Sequence, residues 1–258
     1  MFYMFLFLAG SAGGFFSGLL GIGGGILLFP VLYYLPQALG FESIPVKHIT
    51  GLTMVQGFAA SLTAMVFHKR EKLVNRSLAL TFGLSLSFSS FTGSFFSKEV
   101  PDKYLLFIFG ILAFIASLLM FLPRDYARDN LTEEKVLFNR PAAIIIGVVT
   151  GFLIGLVGQG GAFIIIPLLL YVLKIPLRVA FGSTLAIGMF SAAAGLLGKA
   201  ATTQIPFNMA AALLPGAIMS ARLGSIISKK TRAHSLRWLL ALLISATAAK
   251  VWYDIFKP

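Results

Sequence analysis

The chain of 258 residues is 58% hydrophobic and only 12% charged, with a mean hydropathy of +0.91, whereas a soluble domain carries about 25% charged residues. This composition excludes an ordinary soluble domain and leaves room for roughly eight segments of membrane length at about 20 residues each. The lack of cysteine excludes disulfides, thiolate chemistry and Cys-based metal sites. The formal charge of +12 lies in short loops between apolar runs, the pattern of cytoplasmic loops and not of a nucleic-acid surface.

The first apolar run, 3–35, opens with "MFYMFLFLAGSAGG", which lacks the positive n-region of a signal peptide and reads as part of the mature fold. It continues into "GLLGIGGGILLFP", residues 18–30, with five glycines in thirteen positions. Glycine weakens a helix by about 1 kcal/mol relative to alanine, so the run should break there. Apolar runs at 46–67, 76–97 and 104–122 follow, then the polar stretch 123–140. Four more runs lie at 141–173, 177–198, 206–227 and 236–256, the first of them carrying "GLVGQGGAFIIIP".

The halves align. Gly14, Gly18, Gly21, Gly23, Gly24 and Pro30 match Gly151, Gly155, Gly158, Gly160, Gly161 and Pro167 at an offset of 137. Beyond the prolines the offset becomes 131, pairing Pro45, Gly51, Thr53 and Gly93 with Pro176, Gly182, Thr184 and Gly224. The expected organisation is therefore a first membrane repeat at 1–122, a cytoplasmic linker at 123–140 and a second repeat at 141–258. A run of 33 residues would extend about 50 Å as one helix, too long for a single span. Folding each into a glycine-broken hairpin gives every half an odd number of crossings and inverts the halves. With that topology fourteen Lys and Arg fall on one side and six on the other, Lys199 among the six. If each run crossed once, the split would be nearly even. The positive-inside rule thus favours an all-α polytopic protein of two inverted repeats, each a hairpin followed by three transmembrane helices, with both termini outside.

A helix break at membrane depth must line a cavity or be buried in protein, and it exposes the amide end of the next helix, a natural anion site. "GIGGG" and "GQGG" thus read as two half-helix starts facing each other near the midplane, as in inverted-repeat transporters. The candidate ligand-contacting backbone is Gly23, Gly24, Gly25, Gly160 and Gly161, with Gln159 inside the second cluster opposite Ile22 of the first. Close helix packing is the competing role for glycine, and it suits Gly14, Gly18, Gly151 and Gly155. Thr53 and Gln56 on one second helix, and Ser183 and Thr184 on the other, offer neutral donors. Arg222 lies seven residues before Lys229, leaving both snorkelling and an anion counter-charge open. No carboxylate falls in the middle of a membrane run, which argues against a cation pump or proton relay. His48, His68 and His234 fall at helix ends, so neither a metal site nor a cofactor is expected. Without a membrane-embedded base, an enzyme is not expected either. The glycines do not form a dinucleotide-binding fingerprint.

At these residues the sequence resembles the TauE/SafE family, also called the sulfite exporter or toluene sulfonate uptake family. "GLLGIGGGILLFP" and "GLVGQGGAFIIIPLLLY", followed by "HITGLTMVQGFAAS" and "VAFGSTLAIGMFSAAAG", are similar to its repeat signature, as is "PGAIMSARLGSIISKK". The resemblance implies a plasma-membrane secondary transporter for sulfite, sulfoacetate or related sulfonates, with an anion channel or uniporter as the alternative. The partners it implies are a small anion and the lipid bilayer, with a homodimer left open. The substitution of Gln159 and Ala162 for Ile22 and Gly25 makes the two half-sites chemically unequal.

Overall fold

The computed structural model describes residues 1–21, 23–68, 74–122 and 138–256. Ile22, the loop cations at 69–72 and most of the expected linker 123–140 lie outside them. Every regular element among the described residues is helical. The first half comprises α1 (Phe2–Leu20), α2 (Gly25–Ala38), α3 (Val46–His68), α4 (Arg76–Phe96) and α5 (Asp102–Phe121). The second comprises α6 (Arg140–Val157), a 3-10 turn (Gln159–Ile164), the single turn α7 (Ile165–Pro167), a π turn (Leu168–Val172), α8 (Leu177–Ala201), α9 (Phe207–Lys230) and α10 (Ala233–Phe256). Eight of these helices are long and apolar enough to cross a membrane, all but α2 and α7. The chain is an all-α polytopic membrane protein.

Side-chain placement follows helical periodicity. On α4, Leu78, Phe82 and Leu86 are buried while Leu80, Leu84, Phe88 and Phe95 are exposed. Apolar residues on both faces of one helix suit a protein core on one side and lipid on the other.

The glycine clusters break the long runs as expected. Gly21 ends α1 in the left-handed region at φ 71, and its N–H bonds Ser17 O at 2.8 Å. Gly23 and Gly24 also hold positive φ, a conformation that side-chain-bearing residues resist. The chain doubles back: Gly24 and Leu28 lie against Gly13, and Phe41, just past α2, meets Phe2 edge-on and Phe5 at a tilt, with ring distances of 5.4 and 6.2 Å. Residues 2–41 thus form a hairpin whose two ends share one end of the bundle. The second break differs. Gly158 takes φ 82 and ψ −178, but a 3-10 turn follows, so its amide end is not a regular α-helical start. The two tips, expected to be unequal in chemistry, are unequal in conformation as well: an α-helix starts at Gly25 on one, and the buried amide Gln159 opens a 3-10 turn on the other.

The halves interlock through glycines that let backbones touch. Methyl groups built at Gly14 and Gly18 would collide with the carbonyls of Ala217 and Ala221 on α9. Gly151 and Gly155 press in the same way on Leu86 and Ser90 of α4. Gly224 meets the Phe15 carbonyl, and Gly93 meets that of Phe152. These pairs are related by the offsets 137 and 131, so the sequence repeat is also a repeat of contacts. Small residues that bring backbones together are the usual means of helix association in membranes, and packing is the role these glycines play. Corresponding helices also meet directly. Lys199 of α8 bonds Thr50 of α3 at 2.8 Å, Gly195 touches Met54, and Gly188 approaches Ser61. On α5 and α10, Gly110 packs on Val251 and Ser117 Oγ lies 2.8 Å from Ser245 Oγ. As residue number rises along one helix of each pair it falls along the other, so both pairs are antiparallel.

Candidate functional site

The tip of the first hairpin is where buried polar chemistry collects. The first N–H groups of a helix lack intrahelical partners, and α2 presents them with no side-chain cap. Gln56 of α3 lies beside them: a methyl group on Gly24 would sit 3.0 Å from Gln56 Nε2. Gln56 is completely buried, and neither end of its amide has a protein hydrogen-bond partner. Gln159 enters from the other half. It is fully buried against Gly23 and Gly57, its Nε2 reaches the Gly188 carbonyl at 3.5 Å, and its Oε1 is unpartnered. Ser61 Oγ, also buried and unpartnered, flanks Gly188. Each buried polar atom left unpaired costs about 1–3 kcal/mol. Several together beside a helix start make this tip the candidate site for a polar ligand.

The other sequence candidates separate. Thr53 is buried against Gly158 and donates to the Thr50 carbonyl at 2.9 Å, which puts it at the second tip. Gly25 begins α2, and Gly160 falls in the 3-10 turn. A methyl group on Gly161 would face Val157, Leu112 and Ile154, apolar side chains outside the polar cluster. Ser183 accepts from Asn75 N at 3.2 Å near the start of α4, and Thr184 bonds Ala180 O of its own helix at 2.6 Å. Arg222 is exposed on α9. Arg222→Ala is therefore expected to alter substrate affinity by no more than about twofold, as for other exposed positions; a larger loss in a binding titration would restore the counter-charge role.

A cavity of about 470 Å³ opens at the end of the bundle that carries Arg178 and Lys229 and reaches Leu20 and Gly21 under the first tip. Residues 6–251 match the family described as Sulfite exporter TauE/SafE. The chain belongs to that family. Proteins named "Probable membrane transporter protein" are similar to it along nearly their whole length. One from Methanocaldococcus jannaschii is 28% identical over 249 residues, covering 93% of this chain and 91% of its own. One from Xylella fastidiosa is 29% identical over 248 residues, covering 94% and 92%. One from Bacillus subtilis is 22% identical over 269 residues, covering 98% of each. No solved structure matches.

This TauE/SafE member also buries two cations, Lys199 just past one of the apolar runs and Arg237 near the start of another. Lys199 is fully buried within α8, its ammonium bonded to Ser97 Oγ at 2.6 Å, Thr50 Oγ1 at 2.8 Å, Gln204 Oε1 at 3.0 Å and the Leu156 carbonyl at 3.3 Å. Arg237 is buried in α10 and donates to Tyr171 Oη at 2.7 Å and the Met120 carbonyl at 3.0 Å. Gly158 beside Thr53, Ser61 beside Gly188 and the buried Lys199 were not singled out from sequence. Gly158 was visible as a repeat position, but nothing in the sequence distinguished it from Gly161 as the glycine that a side chain would spoil.

Proposed function

We propose that this transporter moves small sulfur-containing anions such as sulfite or organosulfonates across the plasma membrane by alternating access. The anion sits at the first hairpin tip, between the opening N–H groups of α2 and the side chains of Gln56, Gln159 and Ser61, with Thr53 and the second tip completing the enclosure. Gln56 carries this reading: a fully buried amide, unpartnered at both ends, beside an uncapped helix N-terminus. That terminus is worth about half a positive charge. Among the described residues the buried charged groups are Lys199 and Arg237, with no buried Asp or Glu. This balance favours anions over the cations that intramembrane carboxylates serve. The choice of sulfur anions rests on the family.

The repeats 1–122 and 141–258 are inverted in this reading, joined by the linker 123–140. Two corresponding helix pairs that touch, α3 with α8 and α5 with α10, run antiparallel. A two-fold axis lying in the membrane plane produces that relation, and one along the membrane normal does not. The basic ends of α4, α8 and α10 face the cytoplasm by the positive-inside rule, leaving both termini outside.

The test is a thermal-shift titration of the purified protein with sulfite, sulfoacetate, taurine, sulfate and acetate. One sulfur anion should stabilise the protein selectively, and Gln56→Leu should weaken that response roughly tenfold, the worth of one hydrogen bond to a charged group. Equal stabilisation of the variant, or no response to any anion, would sink the reading.

A further inference from the structure

The two ends of the bundle are corresponding places in the repeat, yet they differ in shape. Leu19, Phe181, Gly182 and Ser228 line the cavity at the basic end. By the repeat offsets their counterparts are Leu156, Thr50, Gly51 and Ser97. At the opposite end those residues close together. Gly51 packs on the Gln204 carbonyl, and Leu156, Thr50 and Ser97 all meet Lys199. The same four positions thus surround an open space at one end and a filled one at the other.

Two buried side chains fill the closed end, Lys199 and Gln204, whose Oε1 accepts from Lys199 Nζ at 3.0 Å and from Ser97 Oγ at 2.9 Å. The Lys199 ammonium joins α3 through Thr50, the residue after α4 through Ser97, and the C-terminal end of α6 through the Leu156 carbonyl. A cation at a helix C-terminus is favoured by the dipole and takes up a carbonyl that the helix leaves unpaired. All four acceptors are neutral, so the ammonium is held by hydrogen bonds at a cost in desolvation. Three of them, Thr50, Ser97 and Leu156, sit at positions whose counterparts line the cavity.

We infer that Lys199 is the latch of the closed gate: transport passes through a state in which Thr50 parts from Ser97 and Leu156 and opens a cavity like the one lined by Phe181, Ser228 and Leu19 at the basic end. This inference rests on the alternating-access reading above but not on the identity of the anion.

Because the natural chain has no cysteine, introduced pairs can be read cleanly. Both the Thr50 and Ser97 hydroxyls lie within 2.8 Å of the same nitrogen, so thiols in the Thr50→Cys, Ser97→Cys double variant are close enough for mercuric ion to bridge. In proteoliposomes, bridging should abolish flux and dithiothreitol should restore it, while either single variant should be insensitive. A bridged double variant that transports normally would overturn the latch, because locking a static contact costs nothing. The second measurement needs no transport. In a Thr53→Cys background, Lys199→Met should speed modification by a membrane-impermeant thiol reagent applied from the end away from Arg178. The expected gain is roughly ten- to a hundredfold, the equilibrium worth of one or two hydrogen bonds to a charge. An unchanged rate in folded protein would also overturn it. If every anion tested fails to bind while both results hold, the substrate assignment falls and the latch stands.

Discussion

Gly24→Ala is expected to abolish transport and substrate-dependent stabilisation, although it adds one methyl group. Two independent effects converge at this position. Gly24 holds φ 65 and ψ −1, a left-handed conformation that costs an L-residue about 1–2 kcal/mol. The added carbon would also overlap the Gly13 carbonyl oxygen, which belongs to backbone and cannot swing aside, and would crowd Gln56 Nε2. Relief requires α2 to withdraw from α1, which carries its opening N–H groups away from Gln56 and Gln159. Two controls separate site damage from general strain. Gly40 also holds positive φ, at 78, but a methyl group there meets nothing within 4 Å, so Gly40→Ala should lose only the conformational term and keep its flux. Gly161→Ala meets the Val157 side chain at 2.8 Å and other side chains beyond, which can shift, so partial activity should remain. Flux and monodisperse yield measured side by side for the three variants give the order. Wild-type flux in well-folded Gly24→Ala protein would refute the placement of the site at this tip.

The contrast among these glycines marks how far the sequence could be read. The repeat was legible because its signal is backbone geometry: glycines recur at fixed offsets where chains turn or touch, and nothing else substitutes for them there. Gly14 with Ala217 and Gly151 with Leu86 show that the offsets were recording a physical seam. The breaks after Leu20 and Val157 were legible for the same reason. The site was legible only in part. Gln56 and Gln159 stood out as amides in apolar runs, but Ser61 resembles many hydroxyls that simply bond their own helix, as Ser85 and Ser87 do. Lys199 was misread because a lysine in the last turn of an apolar helix has the sequence signature of a loop cation. Its burial depends on Ser97 and Gln204, which are distant in the chain and meet it only in the fold. Thr184 is the counterpart of Thr53 and Ser183 its neighbour, yet their partners are Ala180 and Asn75. The repeat fixes backbone position, and the chemistry at equivalent positions is free to diverge.

That divergence sets up a comparison between the halves, because the seams are equivalent in geometry and unequal in what lies behind them. Gly151→Leu and Gly14→Leu should both be severe. Methyl groups at these positions would collide with the backbone of Leu86 and of Ala217, and with Ser89 Oγ and Ser220 Oγ respectively. Overpacking a tight core costs typically 1–3 kcal/mol and sometimes more. Contacts this close to a carbonyl, with a whole leucine to place, belong at the upper end, on the order of 3 kcal/mol or beyond. Each substitution forces apart the first helix of one half and the third membrane-spanning helix of the other, so the expected phenotype is failure of the halves to interlock. Yield of monodisperse protein in mild detergent should collapse for both. Gly14→Ser should be milder, since serine is the smallest polar side chain that can bond a helix carbonyl, as Ser220 already does with Gly216 at 2.8 Å. Coexpressing 1–122 with 141–258 as separate chains sharpens the test. If the seams hold the halves together, the wild-type fragments should copurify, and either leucine variant should lose most of that association. Copurification that survives both leucines would move the weight of the fold to the α3–α8 and α5–α10 contacts, where corresponding helices of the two halves meet.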